Sequence, residues 1–571
     1  MASAQRSDSD EWRLGIELGE HHELELVHPL SEPQRDLSLE RLERPLEVVT
    51  VERLGWALVA LYAILTRLAF LAARPIDAAE ARQALFEYGL AANRLHTSTV
   101  ADTAYGGWVH MLQAGVFAAF GVNDFTARLV FALSGVLLVA IAFEMRHYVG
   151  RAGALGLAAL LVLSPTMTYF SRMSTTVTPA AALALVAVVI FMALKWNPGR
   201  RKAIALGGVA GLMIAADSIG TIAAASFLAG LVMLGLWELA AGKNNILRIR
   251  VWLDRYSSLV AVVIVAAVVV GAISLLMLPG AFTKAAVDDF SKSIWPLSLA
   301  SAFAQGFRVY GPVFAFYEFL IALTGAFGLA TIVSFRVRSR FAVWCAIWMV
   351  LSLGFFLWMP AWSGDRMLAM LLPAAIVGAF GVDYLHHTSA WRIIRYPLAA
   401  LAALTLYVQV LTNFVYAAPD ASEASWARHA NLFWFDGATT IQTRDESARA
   451  LEGITPADAT VFFKDDHSDL PALEWYLRTL RPVDKPDAAT VVVGPKPESM
   501  ANDPDSGIRA FSFDSDESWS ATLKGLDLQR ALAYFFTARE WGPIETHSST
   551  IIVKPGPEVA PTQIITPGAS P

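Results

Sequence analysis

Charged side chains are scarce in this sequence. Asp, Glu, Lys and Arg make up 16% of its 571 residues, whereas a soluble globular protein carries about 25%. The charges that are present collect between long apolar runs, which places the chain in the membrane class. The net charge is −6, and no basic surface suggests a nucleic-acid partner.

Several chemical motifs are also absent. The single cysteine, Cys345, excludes an intramolecular disulfide and a cysteine metal cluster, and its place in an apolar run is typical of a small buried residue. The sequence has no phosphate-binding glycine loop and no zinc-ligand spacing. Residues 1–53 are polar and lack an apolar core near Met1, so we expect a disordered cytoplasmic tail and no cleavable signal peptide.

What the sequence does contain is a series of apolar runs near the roughly 20 residues that a helix needs to cross a bilayer. The eleven runs lie at residues 54–73, 127–145, 152–170, 178–194, 203–217, 221–240, 257–278, 313–335, 341–360, 367–385 and 396–417. They predict an all-α polytopic membrane domain of about 11 transmembrane helices over residues 54–417.

The Lys and Arg residues predict the orientation of this domain. They cluster in alternate loops, for example at residues 195–202 and 243–255, and cationic loops stay cytoplasmic. The alternation holds only if the apolar run 108–120 does not cross the membrane. We therefore expect this run to be a helix at the outer interface, within an outer loop of residues 74–126. The N-terminus is then cytoplasmic and the C-terminal region extracytoplasmic.

Residues 418–555 differ in composition from the membrane part, because charges return and short β-branched runs appear. The patterns predict strands at 460–463, 490–493 and 549–553, and helices at 470–480 and 526–540. We expect a small extracytoplasmic α/β domain. The Pro- and Gly-rich residues 556–571 indicate a disordered tail.

Two acids, Asp77 and Glu80, open the outer loop directly after the first apolar run. Asp-x-x-Glu before a helical run is a capping arrangement, with Asp77 at the cap and Glu80 folding back. A carboxylate at the outer membrane surface could also take a proton from an incoming hydroxyl as a general base. One acid can do both, so the residues leave both interpretations open.

Other charged residues fall near the outer ends of the predicted spans. They are Arg67, Arg172, Asp217, Glu318, Asp365 and Arg366. Taken alone, each arginine could extend to the lipid headgroups. Their shared membrane level indicates instead a polar pocket that opens outward. Arginines in such a pocket could bind a lipid-linked phosphate through bidentate hydrogen bonds.

Several segments together resemble a known superfamily. They are a DxxEAR segment after the first span, FGVNDFTARL at 120–129, LSPTMTYFSR at 163–172, GDRM at 364–367, DLPALEWYLR at 469–478 and AYFFTAREWGP at 533–543. Their order resembles the GT-C superfamily of polyprenyl-phosphate-sugar glycosyltransferases. Within it, the chain is similar to the flippase activity-associated proteins of archaeal and bacterial N-glycosylation, and to dolichyl-phosphate-mannose–protein mannosyltransferases.

This resemblance implies transfer of a sugar on the outer face of the membrane. The donor would be a polyprenyl-phosphate-linked sugar, and the acceptor a glycan, lipid or protein. An acid in the first outer loop would act as the general base. By the resemblance this acid is Glu80, with Asp77 as the alternative, because the adjacent Asp-Glu of the family reads Ala79-Glu80 here.

Basic residues would hold the donor phosphate. The resemblance matches Arg172 and Arg366 to basic positions of the family, and we add Arg67 because it lies at the same predicted level. The pocket would also contain three acids. They are Asp217, Glu318 and Asp365. We expect no metal or other cofactor if the arginines neutralise the phosphate.

Two other functions stay open at this point. The absence of a second acid after Arg172 is compatible with a lipid-linked-sugar flippase or an accessory to one. The degenerate motifs are compatible with a non-catalytic scaffold of a surface glycosylation system. A transporter needs a polar path through both membrane halves, but Glu144, Glu238 and Asp383 lie near the cytoplasmic ends of their predicted spans.

Overall fold

A computed structural model gives the architecture of the chain. It describes residues 50–76, 78–92, 106–240, 245–277, 317–337, 339–358, 367–415, 441–452, 459–464, 470–495, 509–517 and 545–554, together with residues 311, 314, 315 and 454. The membrane helices and the C-terminal sheet belong to one compact unit, Leu54–Pro571. The boundaries of the tails and of the two predicted domains stay predictions.

Helices account for all eleven apolar runs. The helices of this part are α1 (Val51–Leu68), α2 (Ala78–Ala91), α3 (Gly107–Phe120), α4 (Asp124–Ile141), α5 (Arg146–Val149), α6 (Arg151–Leu163), α7 (Pro165–Ser171), α8 (Val177–Trp196), α9 (Arg200–Ala216), α10 (Ser218–Ala240), α11 (Asn245–Leu276), α12 (Phe319–Val333), α13 (Arg340–Trp358), α14 (Met367–His386) and α15 (Trp391–Val410). By length and composition, six described helices could cross a membrane, or seven if the bent pair α6–α7 is one span. The predicted all-α membrane domain is confirmed.

The predicted span 152–170 is bent. Helices α6 and α7 meet at an angle of 63°. Pro165 cannot continue the α6 hydrogen-bond ladder because it has no N–H, and it is well suited to the first position of a new helix. Ser164 caps that helix, since its hydroxyl accepts a hydrogen bond from the Met167 N–H at 3.1 Å.

Helix α14 lies at the centre of the helical core. Nearly all of its residues are buried, and it packs against α6, α12 and α13. Close approach to α12 requires Gly328, because a Cβ there would lie 2.0 Å from the Val377 carbonyl oxygen. Helix α13 adds Trp344 and Trp348, whose rings stack with centroids 5.7 Å apart. This packing makes the bundle a fixed frame for the outer loop.

The outer loop contains helices α2 and α3, so the prediction of a helix at 108–120 is confirmed. Its position relative to a membrane stays a prediction. A reciprocal capping box then starts α4: the Asn123 side chain accepts from the Thr126 N–H at 2.9 Å, and the Thr126 hydroxyl accepts from the Asn123 N–H at 3.0 Å. The cap fixes where α4 begins, and therefore where Arg128 on its first turns points.

The C-terminal region folds around one mixed sheet. Its elements are helix α16 (Ile441–Leu451), β1 (Thr460–Phe463), helix α17 (Leu470–Tyr476), β2 (Arg481–Pro482), β3 (Val491–Pro495), β4 (Arg509–Glu517) and β5 (Glu545–Val553). The strand order is β2-β1-β3-β5-β4. Strand β1 is parallel to β2 and β3, whereas β5 is antiparallel to β3 and β4.

The predicted α/β character of this region is confirmed. Strands β1, β3 and β5 and helix α17 coincide with predicted segments, although α17 ends at Tyr476 rather than near residue 480. The predicted helix at 526–540 lies outside the described residues. Strands β2 and β4 were not predicted. The buried side chains of Val461, Leu473 and Ile551 join the sheet and α17 into one small core.

Candidate active site

Three arginines line one small cleft at the end of the helical bundle. Arg74 follows α1, Arg128 comes from the start of α4, and Arg172 directly follows α7. Tyr169 also lines the cleft, and the Arg74 guanidinium lies 4.8 Å from the centre of its ring. The cleft has about 10 Å³ of space, roughly the room for one water molecule. It brings together cations from three places in the sequence.

Glu80 on α2 lies beneath these arginines with only 1% of its surface exposed. Arg128 donates to both of its oxygens, from Nε at 2.8 Å and from Nη2 at 2.6 Å. Arg74 Nη2 donates at 2.9 Å to Oε2, and the Ser174 N–H donates at 2.9 Å to Oε1. This carboxylate is therefore enclosed by donors from three separate segments.

These contacts fix the charge of Glu80. Burial alone would raise the pKa of its carboxyl. The neighbouring Arg128 and Arg74, the hydrogen bonds from Arg128 and the Ser174 N–H outweigh that effect and lower the pKa to about 2. Glu80 is an anion at neutral pH, and a proton acceptor with so low a pKa is a weak base.

Arg128 uses its whole guanidinium in this cluster. Besides the two bonds to Glu80, Nη1 donates to the carbonyl oxygens of Leu71 at 2.9 Å and Arg74 at 2.7 Å. Nη2 donates to the Pro75 carbonyl at 3.0 Å. Arg128 thereby ties α4 to the segment that leaves α1 and enters α2. Its charge is compensated by the carboxylate and by carbonyl dipoles, which is the arrangement that makes a buried guanidinium tolerable.

Arg172 binds the end of α1. Its Nη1 donates to the carbonyl oxygens of Thr66 and Ala69 at 2.7 Å each, and Nη2 donates to the Phe70 carbonyl at 3.0 Å. The last carbonyl groups of a helix have no partner within the helix, so a cation here satisfies them. The guanidinium also lies 4.8 Å from the centre of the Phe414 ring.

The three arginines are close enough to affect one another. Burial lowers the pKa of Arg172 first, and the positive charges of Arg74, Arg128 and Arg67 lower it further, to about 9. All remain protonated at neutral pH. Three guanidinium groups line the cleft, and the carboxylate of Glu80 is paired with two of them, Arg74 and Arg128, so an anion that enters the cleft would meet a positively charged wall.

A π-helical turn completes the cleft. Residues Leu411–Val415 follow α15 with this wider winding, which is frequent at functional sites. The turn places Thr412 and Asn413 in the cleft wall. Asn413 Nδ2 donates to the Pro165 carbonyl at 3.3 Å, at the bend between α6 and α7. Polar side chains that follow the last membrane helix therefore line the same cleft as the three arginines.

The other predicted site residues lie in several places. Arg67 is fully buried and its Nη2 donates to the Leu161 carbonyl at 3.2 Å, so it points into the bundle rather than into the cleft wall. Glu318 accepts from the Ser164 hydroxyl at 2.7 Å, at the α6–α7 bend. Asp217 ends α9 and accepts from the Ile219 N–H at 2.9 Å. Neither acid lines the cleft. Asp77, Asp365 and Arg366 lie outside the described residues.

The sequence analysis did not predict two residues that line the cleft, Arg74 and Arg128, although both lie in segments that it used. Arg74 stands directly before Pro75 and two acids, in the segment that carried the prediction. Arg128 is in the FGVNDFTARL segment, four residues after Asp124, a spacing that favours a local helix pair. In the structure Arg128 instead forms hydrogen bonds with Glu80, and Asp124 accepts from Trp475 Nε1 at 2.9 Å.

A second acid of α2 forms a different pair. Glu87 is fully buried, and its Oε1 lies 3.0 Å from His110 Nδ1 on α3 and accepts from Gln83 Nε2 at 3.1 Å. Its Oε2 has no hydrogen-bond partner among the described residues. The described residues contain no group of three or more His, Cys, Asp or Glu that could hold a metal ion.

The fold is that of solved membrane proteins. ArnT from Cupriavidus metallidurans bound to undecaprenyl phosphate matches with a TM-score of 0.51 and 14% identity, over 87% of this chain and 98% of ArnT. ArnT in the apo state gives a TM-score of 0.50 and 16% identity over the same shares. An Archaeoglobus fulgidus oligosaccharyltransferase gives 0.47 and 14% identity, over 77% of this chain and 67% of the other.

Comparison with known sequences does not identify a family for the chain. No protein-family profile matches the chain, and no curated protein is similar to it in sequence. The likeness to ArnT extends over nearly the whole of both chains and confirms the predicted fold. The chain is a multi-pass membrane protein with the GT-C fold.

Proposed function

We propose that this chain is a membrane glycosyltransferase that moves a sugar from a polyprenyl-phosphate donor to an acceptor on the outer face of the membrane. The observation that carries this proposal is the cleft lined by Arg74, Arg128 and Arg172, the first two of which bind one buried carboxylate, that of Glu80. Guanidinium groups match the geometry of phosphate oxygens and keep their charge when buried. ArnT, which has the same fold, is bound to undecaprenyl phosphate.

The cleft would hold the phosphate of the lipid carrier. During transfer the bond between the sugar and the phosphate breaks, and the departing phosphate gains negative charge. Arginines held beside the phosphate would stabilise that charge through their own positive charge. Because guanidinium groups do this work, we expect the reaction to need no metal. The sugar is expected to be a hexose, and the N-terminus to be cytoplasmic.

We assign Glu80 a positioning role rather than that of the base. Its carboxylate holds Arg128 and Arg74 in place, and a pKa of about 2 leaves it little tendency to accept a proton. Asp77, three residues earlier in the sequence, then becomes the candidate general base. It would take the proton of an acceptor hydroxyl while that oxygen attacks the anomeric carbon and the carrier phosphate leaves.

Binding of the carrier lipid tests the phosphate site. We expect purified full-length protein in lipid nanodiscs to bind undecaprenyl phosphate, and Arg172→Gln to weaken that binding about tenfold or more, since a charge-assisted hydrogen bond is lost. Arg392→Gln is the matched control, because Arg392 is exposed at the start of α15, away from the cleft. A wild-type protein that does not bind this lipid would overturn the proposal.

Transfer assays with a polyprenyl-phosphate hexose test the chemistry. Asp77→Asn should abolish transfer and leave binding of undecaprenyl phosphate unchanged. Transfer should persist in EDTA. If the lipid binds, no sugar is transferred and lipid-linked sugar crosses liposome membranes with the purified protein, the flippase alternative is correct instead.

A further inference from the structure

The C-terminal domain contacts the segment that carries Arg74 on both of its sides. Tyr476, the last residue of α17, accepts a hydrogen bond on its hydroxyl from the Ile76 N–H at 2.9 Å. Arg444 of α16 donates from Nη1 to the Ala73 carbonyl at 3.2 Å. One contact therefore precedes Arg74 by a residue and the other follows it by two.

The same domain holds the start of α4. Trp475 Nε1 donates to Asp124 Oδ1 at 2.9 Å, and the Tyr476 hydroxyl lies 3.3 Å from Asp124 Oδ2. Asp124 is one turn before Arg128 on the same helix, so their relative positions are set by the helix geometry. Trp475 and Tyr476 of α17 therefore form hydrogen bonds with the segments that carry two of the three cleft arginines, Arg74 and Arg128.

Buried aromatic packing accompanies the hydrogen bonds between α17 and the start of α4. Trp475 is fully buried, and its ring lies 6.1 Å from that of Phe117 on α3. The Arg478 guanidinium lies 4.1 Å from the centre of the Trp475 ring and donates to the Val122 carbonyl at 2.9 Å. A surface with a buried aromatic centre and charged groups bonded to backbone has the character of a stable interdomain contact.

We propose that Arg444, Trp475 and Tyr476 are positioning residues for the anion-binding cleft, through which the C-terminal domain sets the affinity for the carrier phosphate. This rests on the proposed function, because it takes the anion to be that phosphate. Ile76 is fully buried, so without the Tyr476 hydroxyl its N–H would be left without a partner. The segment around Arg74 would then shift to reach another acceptor.

The test compares Tyr476→Phe with the wild type in the full-length protein. We expect undecaprenyl phosphate to bind about tenfold more weakly, because the Ile76 N–H loses its acceptor and Asp124 loses a donor. Binding of undecaprenol, which has the same chain and no phosphate, should not change. Amide hydrogen exchange should become faster in residues 71–76. Tyr396→Phe is the matched control, because Tyr396 is 65% exposed on α15.

Each possible result decides the proposal. Unchanged affinity for undecaprenyl phosphate, or an equal loss for undecaprenol, would overturn it. Arg444→Met removes the hydrogen bond to the Ala73 carbonyl, on the other side of Arg74. It replaces Tyr476→Phe as the test variant if Tyr476→Phe does not fold. If the wild-type protein does not bind undecaprenyl phosphate, the proposed function fails, and hydrogen exchange in residues 71–76 still decides whether the domain restrains the segment.

Discussion

Helix α2 carries two buried glutamates, seven residues apart, in opposite electrostatic surroundings. Glu80 receives hydrogen bonds on both oxygens, and two arginines supply most of them. One oxygen of Glu87 accepts from Gln83 and lies 3.0 Å from His110 Nδ1, while the other has no hydrogen-bond partner among the described residues. Both side chains are almost completely removed from solvent.

The different hydrogen-bond donors shift the pKa values of the two carboxyls in opposite directions. Burial raises the pKa of both carboxyls. At Glu80 the arginines reverse that effect and the pKa falls to about 2. At Glu87 the bonds from His110 and Gln83 only reduce it, and the pKa stays raised. The pKa values of two identical side chains on one helix thus shift in opposite directions because their donors differ in charge and number.

The largest effect is expected from removing Arg128. Arg128→Met keeps much of the volume but leaves Glu80 with a buried charge that is only partly compensated, and it removes the donors to three carbonyl groups. Breaking a buried ion pair from one side costs about 3–5 kcal/mol. We expect a loss of that size in the free energy of unfolding, measured in detergent with Arg392→Met as the control. A loss below about 1 kcal/mol would mean that the cluster is not held as described.

Acid should remove a somewhat smaller part of the stability. A carboxyl whose pKa is lowered on folding stabilises the native state above its unfolded-state pKa, and that contribution disappears as the pH falls through the folded-state value. For Glu80 these limits are about 4.5 and about 2. The shift corresponds to about 3 kcal/mol.

The measurement is the unfolding temperature between pH 5 and pH 2. The wild-type protein should lose more stability over this range than Glu80→Gln, which has no carboxyl to protonate. Glu144→Gln is the control, because Glu144 is exposed and lies three residues after the end of α4. Equal pH dependence in wild type and Glu80→Gln would show that the arginines do not lower the pKa of Glu80.

Local sequence patterns were enough for the helices but not for these pairs. Length and hydropathy located each apolar run, and Ser164-Pro165 carried the signal for the bend that was missed. The partner of Arg128 is 48 residues away, and Trp475 is 351 residues from Asp124. A pattern that compares neighbours four residues apart finds Asp124 and Arg128 instead. Charge and membrane level predicted that a cluster exists, whereas packing decides which residues form it.

The smallest effect is expected at Glu87. Glutamine keeps the shape of the side chain and an oxygen within reach of His110 and Gln83, and burial already disfavours a charged carboxylate here, so Glu87→Gln should change the free energy of unfolding by less than about 1 kcal/mol at pH 7. A carboxyl with a raised pKa stabilises the fold in its protonated form, and that contribution is lost as the pH rises through the folded-state value. The variant should therefore lose less stability than the wild type as the pH rises from about 4.5 through the raised folded-state pKa.

If Glu87→Gln lowered the free energy of unfolding about as much as Arg128→Met, this interpretation of Glu87 would be reversed. It would mean that Glu87 is charged in the folded protein and that a protonated His110 compensates it, so that α2 would carry two ion pairs. His110→Gln distinguishes the cases, because it removes the possible cation and keeps a hydrogen-bond donor. If Glu87 is neutral, His110→Gln and Glu87→Gln should each be mild, and their combination should cost about the sum of the two, since no charge pair couples them.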